Sequence, residues 1–405
     1  MRMLIVAVCC FVALPINAQQ TFLNKGVDEW TRQLKTAPEP RQRRNAAFAL
    51  GELGMRATGA IEQMKTCLAD EKDPKVREAI VHAFGDICQG TVEAGAAASL
   101  EEVLCRLLQA RDEDKLVRRS AAYALGCLAT KSPRAYAALE AGLADREGVV
   151  KQNVAWALGK FGEDALPSLK KALHDEDAFV QRDAAAALLQ VPDPDKVRKL
   201  VPDLVPLCQV KDSEVRRAVV NVLVRVVERE DKAAIPALCS LLEDRDLEIK
   251  RNAALALSNI GGKEAAPAIP VLLATLAADD VEVRRLAAAG LGNFGPSAVP
   301  AIPDLLKALR TDKDTEVRAF AAGSLGGIGT ATEDVVAGLL ERVRDKADNP
   351  KVRAGCATAL SYLGAKSTTK TKNAIPDLIA VLRDPDDDVE VRGRIIWALY
   401  PHSME

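Results

Sequence analysis

A ten-residue pattern returns eleven times along this 405-residue chain and leaves few folds open to it. Val117 to Gly126 reads VRRSAAYALG, and VREAIVHAFG, VKQNVAWALG, VRRAVVNVLV, IKRNAALALS, VRRLAAAGLG, VRAFAAGSLG and VRAGCATALS repeat it. Weaker copies begin at Gln42, Val180 and Val391. The second residue of each copy falls at Arg43, Arg77, Arg118, Lys151, Gln181, Arg216, Lys250, Arg284, Arg318, Arg353 and Arg392. Most steps are 33 to 35 residues, with one of 30 and two of 39 and 41. One unit of that size cannot bury its own apolar face, so the period implies a stacked array.

Each unit reads as a hairpin of two short amphipathic helices. In the third, Leu100, Val103, Leu104, Leu107 and Leu108 recur at helical spacing, and Asp112 to Lys115 form a polar turn. Val117, Ala121, Ala124 and Leu125 then make one stripe of a second helix. The chain is 48% hydrophobic but only 4% aromatic, so alanine fills much of the apolar face and helices can approach closely. Prolines open several first helices, as in AIPALCSLL from Ala234 and AIPDLLKAL from Ala301.

Three residues before each leading position stands a mostly acidic column: Glu39, Asp73, Asp114, Glu147, Asp177, Asp212, Asp246, Asp280, Asp314, Asn349 and Asp388. These are expected to cap the second helices, which should start near 42, 76, 117, 150, 180, 215, 249, 283, 317, 352 and 391. The same column lies four residues before Arg77, Arg118, Arg216, Arg284, Arg318 and Arg353, so a structural ladder is expected that pairs along the helix and reaches the neighbouring repeat. One carboxylate per repeat is an array of caps. The densest acidic run, Asp384 to Glu390, has Val389 where a calcium loop needs glycine.

The Asp-x-x-Val-Arg-x-x-Ala-Ala-x-Ala-Leu-Gly pattern, at Asp114 to Gly126 and Asp280 to Gly292, resembles the HEAT-repeat family, including its short bilin-lyase-like repeats. The resemblance covers roughly residues 25 to 400. It implies an all-α fold, a right-handed α-solenoid of about eleven helix hairpins over 19–405, with the second helices on the concave side. It also implies a scaffold or adaptor, with a HEAT-fold enzyme as the alternative. A deoxyhypusine-hydroxylase-like form would need His-Glu pairs, and His82, His174 and His402 form none. A bilin-lyase-like activity rests on repeat length alone, and a DNA-glycosylase-like one would want a basic, aromatic inner site and a cytosolic address. No catalytic residue, cofactor or metal site is assigned.

The residue after the ladder column turns away from the core: Arg44, Glu78, Arg119, Gln152, Arg182, Arg217, Arg251 and Arg285, then Ala319, Ala354 and Gly393. Four residues later stand Phe48, His82, Tyr123 and Trp156, with another ring only at Trp397. Together they predict a basic, partly aromatic groove for an extended or acidic protein or peptide. Arginine forks would meet carboxylates and the rings would add flat contact area. A formal charge of −2 argues against nucleic acid.

Residues 1–18 read as a secretory signal: Arg2, an apolar run from Met3 to Leu14, and a small residue at Ala18. Export is therefore expected, periplasmic or secreted, and the run is too short for stable membrane insertion. Seven cysteines remain beyond it, scattered singly as buried thiols, with a Cys208–Cys239 bridge left open. The last repeat ends in Ile395, Ile396, Trp397 and Tyr400 without a polar closing helix. It either turns those residues inward or offers an edge for association.

Overall fold

The computed structural model describes residues 22–89, 94–263, 265–364 and 369–399. The signal segment, Tyr400 and the insertions at 90–93 and 365–368 lie outside the described residues. Among the described residues every regular element is helical, and the only β feature is an isolated bridge between Phe22 and Lys25. The fold is an all-α solenoid of helix pairs.

The second helices span Pro40–Leu53, Pro74–Ile87, Lys115–Leu128, Gly148–Gly159, Ala178–Leu188, Ser213–Val226, Leu247–Ile260, Val281–Leu291, Thr315–Ile328, Pro350–Gly364 and Val389–Leu399. Each begins two residues ahead of its leading apolar position because the residue before that is the cap. Asp73, Asp114, Asp177, Asp212, Asp246, Asp280 and Asp314 accept from amides of their own first turn. Asn349 and Asp388 do the same. Glu39 and Glu147 occupy the cap position without a side-chain cap bond, since the extra methylene carries the carboxylate past the amides.

The packing divides the chain into two compact bodies, Met1–Pro192 and Asp193–Glu405. The first holds repeats one to five and the second repeats six to eleven. At the start of the second body, Pro194–Arg198, Val201–Leu204 and a 3-10 turn at Val205–Gln209 replace a single first helix. Pro202 and Pro206 remove the amides that a continuous helix there would need.

The core is repetitive. The leading residues Val76, Val117, Val150, Val180, Val215, Ile249, Val283, Val317, Val352 and Val391 are buried, each contributing about 1.5–3 kcal/mol. The sixth position of the pattern is tighter still. Ala47, Val81, Ala122, Ala155, Ala185, Val220, Ala254, Ala288, Ala322 and Ala357 are all 0% exposed. Small residues at the tenth position let successive second helices nearly touch. A methyl group on Gly126 would lie 3.0 Å from Ala157 Cα, and one on Gly326 would lie 2.8 Å from Ala359 Cα.

All seven described cysteines are free, so Cys208 and Cys239 are not bridged. Burial pushes the Cys208 thiol up to about 12, which leaves it inert as a nucleophile. Among the described residues no helix is long and apolar enough to cross a membrane.

Candidate functional site

The ladder exists, but its rungs differ from the expected ones. Arg118 does not pair with Asp114, four residues before it. It reaches Asp145 at 2.7 Å, two residues ahead of the next repeat's cap. Arg43 likewise meets Glu71 at 2.6 Å, and Arg77 meets Glu113. In the second body Arg216 meets Asp244, Arg284 meets Asp312, Arg318 meets Asp348 and Arg353 meets Asp387, at 2.6 to 2.9 Å. Lys151 and Asp175 form the same rung at 2.6 Å. The acids stand one or two residues before the next cap, a second column that the sequence reading passed over. These arginines also bind carbonyls of their own inter-helix turn, as Arg216 does with Val210 and Lys211. Arg118 and Arg353 are almost fully buried in this clamp. The Arg353 fork holds the Asp387 carboxyl below the usual range despite its burial.

The second arginine column is not a free basic groove. Arg217 reaches Asp246, Arg251 reaches Asp280 and Arg285 reaches Asp314, the caps of the following repeats. Each cap therefore works twice. Asp280 Oδ1 accepts from the Val283 amide at 3.0 Å and from Arg251 Nε at 3.2 Å, while Oδ2 accepts from Arg251 Nη2 at 2.5 Å. The arginine forks draw the carboxyls of Asp246 and Asp280 down, and that of Asp314 down to about 2. Arg119 turns the other way, to Glu78 of the preceding repeat, at 2.9 Å. Arg182 pairs with its neighbour Asp183 and lies over the Phe179 ring. These five side chains are thus committed within the molecule. Arg44 is the exception: it is exposed, and among the described residues it has no ion-pair partner.

The rings gather as a stack that column-by-column reading did not foresee. His82 lies on Tyr123 with centroids 4.7 Å apart, and Tyr123 lies on Trp156 at 5.4 Å, both nearly parallel. The Lys160 ammonium covers Trp156 at 5.1 Å. The Tyr123 hydroxyl donates to Asp86 at 2.9 Å, and burial, with Cys127 and Asp86 beside it, pushes its pKa up. Phe48 stands apart from this stack, 57% exposed, edge-on to Phe22 at 6.3 Å. Phe22 is anchored in turn, its carbonyl accepting from the Trp30 indole.

Between Phe48 and His82 lies a groove of ≈ 390 Å³ lined also by Arg44, Asn45, Glu78 and Asp86. It is the place where the expected arginine-plus-aromatic surface survives. A larger hollow of ≈ 590 Å³ opens on the first-helix side, beside Arg32, Lys35 and Asp70. Its Arg43 and Glu71 are already joined to each other. Among the described residues no three His, Cys, Asp or Glu side chains are gathered as metal ligands. Within the acidic run from Asp384, Asp387 serves Arg353 and Asp388 caps a helix.

A family profile described as HEAT repeats matches residues 27–106, 96–159, 143–204, 201–269 and 269–361. An engineered protein of known structure is similar at 25% identity over 93% of this chain and 98% of its own, with a TM-score of 0.57. A structure of importin beta is similar at 16% identity over 93% of this chain, with a TM-score of 0.60. Kap95p, in a structure whose subject is the binding of Kap95p to RanGDP, is similar at 16% identity over 95% of this chain, with a TM-score of 0.53. The chain spans 59% and 55% of those two longer proteins. No curated protein matches it.

Proposed function

This chain belongs to the HEAT-repeat family, and from that premise we propose that it is a non-enzymatic scaffold holding an extended segment of a protein partner against the second helices of its first four repeats. The observation that carries the proposal is the groove between Phe48 and His82, with Arg44 unpaired at its rim and the His82–Tyr123–Trp156 stack continuing beside it. Rings held by their neighbours lose little entropy on binding and supply wide contact area. Arg44 is the group placed to meet an acidic side chain of that segment. Arg182, Arg217, Arg251 and Arg285 contribute rigidity to the array instead, because each already has a carboxylate. Importin-like neighbours give the reading support of a general kind: similar structures include Kap95p in a study of its binding to RanGDP and the complex of Kap95 with Nup1.

Export through the 1–18 leader and association through the C-terminal edge belong to the same proposal. N-terminal sequencing of the mature protein should begin at Gln19; a chain that keeps Met1 opposes export. The scaffold reading is tested by capture from an extract of the source cells. Bait carrying Arg44→Ser with Phe48→Ala should lose the retained partner, whereas Arg217→Ser bait should keep it. Equal capture by the unmodified chain and both variant baits overturns the placement of the site.

A further inference from the structure

The groove between the helices Pro40–Leu53 and Pro74–Ile87 is oppositely charged at its two ends. Both helices run the same way. A methyl group on Gly51, near the end of the first, would lie 3.0 Å from Asp86 Oδ2 and 3.3 Å from Ala83 Cα, near the end of the second. Arg44 stands at the starting end, with Arg41 and Lys75 exposed in the first turns of the two helices. Among the described residues none of these three cations has an ion-pair partner. Glu78 lines the groove too but does not cancel their charge, since it accepts from Arg119 Nη2 at 2.9 Å and Ser120 Oγ at 3.2 Å. Asp86 closes the other end. It accepts from the neutral Tyr123 hydroxyl at 2.9 Å, His82 Nε2 stands 3.8 Å from its second oxygen, and among the described residues no lysine or arginine meets it. Glu52, next to Gly51 in the chain, is exposed and equally without a cation. The stretch between the charged ends is lined by Phe48, Ala79, His82 and Ala83.

Length and width say what fits. Arg44 precedes Gly51 by seven residues, roughly 10 Å of helix rise. A helical side chain leans toward the start of its helix, which carries the guanidinium further from Asp86. In an extended chain the side chains of one face recur at every second residue, so residues four apart are separated by roughly 13 Å. A hollow of ≈ 390 Å³ spread over that length has a cross-section of roughly 30 Å², well under the roughly 80 Å² filled by a helix 10 Å across. We infer that the groove takes an extended peptide segment carrying an acidic, an apolar and a basic side chain at successive second residues. The acid meets Arg44, the apolar group packs against Phe48 and His82, and the base meets Asp86. The inference rests on the scaffold reading and deepens it, adding to the acid a base at a fixed spacing.

The probe is a displayed library of short linear peptides, randomised throughout and selected on the immobilised chain. Retained peptides should be enriched in Asp or Glu and Lys or Arg four residues apart, with an apolar residue midway. Asp86→Asn with Glu52→Gln should abolish the basic preference and weaken a selected peptide about fivefold or more, the scale of a half-buried ion pair. Asparagine still accepts from the Tyr123 hydroxyl, and circular dichroism checks that this chain stays folded. Arg44→Glu, an exposed change, should turn the acidic preference into a basic one. Peptides retained through an acid alone overturn the inference, as does a basic preference that survives Asp86→Asn with Glu52→Gln. Charges recurring at four-residue helical steps assign the groove to a helix and equally overturn it. No retention overturns it too. Equal retention on a chain carrying Arg44→Ser with Phe48→Ala overturns the scaffold placement together with this inference, whereas retention lost there yet indifferent to a base overturns this inference alone.

Discussion

Arg251, in the second helix of the seventh repeat, holds the same Asp280 carboxylate that caps the second helix of the eighth. One side chain thereby ties helix initiation in one repeat to the position of the repeat before it. Coupling of this kind transmits rigidity along a one-dimensional array, whose stability is a sum of repeat and interface terms. Arg251→Ser and Asp280→Asn should each lower stability by roughly 0.5–1 kcal/mol, since the pair is partly exposed and asparagine still caps. The double variant should lose less than the sum in denaturant unfolding. Full additivity opposes the coupling.

The buried rungs weigh more. Arg353 and Asp387 exclude water almost completely, so Arg353→Gln leaves a carboxylate without its charge partner. A loss of about 3 kcal/mol is expected, several times that of Arg217→Ser. Chemical denaturation of both variants gives the comparison, and similar losses would refute it.

Acid should loosen the second body in a defined window. The folded carboxyls of Asp246, Asp280 and Asp314 titrate below their unfolded values, so their contribution is fully present above about pH 4. It is lost as pH falls through the folded values, which for Asp314 reach about 2. Arg285→Ser removes the cause at Asp314 and should make stability depend less on pH across that window. Helicity followed during acid titration reports it; superimposable titrations of the two proteins oppose it.

A missing rung can be added. Lys250 faces a turn with Asp279 one residue ahead of its cap, to which it is not joined, and Ala278 two residues ahead, where Asp244 and Asp312 stand in other repeats. Lys250→Arg with Ala278→Asp should raise stability by roughly 0.5–1 kcal/mol beyond the sum of the single changes. A double-mutant cycle measured by thermal unfolding decides the matter. Zero coupling means that residue identity at these two positions does not make the ladder.

Close helix approach depends on the tenth position. A methyl group on Gly126 would meet the Trp156 ring at 2.6 Å and Ala157 Cα at 3.0 Å. Gly126→Ala should cost about 1–3 kcal/mol by overpacking and disturb the Tyr123–Trp156 stack. Near-ultraviolet circular dichroism and a thermal melt report both effects. An unchanged near-ultraviolet spectrum counts against the stack's dependence on this contact.

The helices, their starts and their buried stripe were all legible in the chain, because each follows from contacts within a few residues. An aspartate three residues before a valine can cap that helix whatever surrounds it. Glu39 and Glu147 mark the limit of the rule, since charge alone did not reveal that a longer side chain misses the amides. The acidic column from Glu71 to Asp387 was visible too, as an acid one or two residues ahead of every cap except Glu39 and Asp212, but its meaning required knowing which repeat it faces.

What the sequence by itself determined is the repeat, the all-α array and the set of columns, for the period and the local propensities act along the chain. Which columns meet was decided only by the tertiary structure. Stacking sets Arg251 against Asp280 and His82 against Tyr123, residues about a repeat apart, and it leaves Arg44 without a carboxylate. Identical arginines therefore differ in role for a physical reason: a guanidinium already held by a carboxylate stiffens the array, and only an unpaired one is open to a partner.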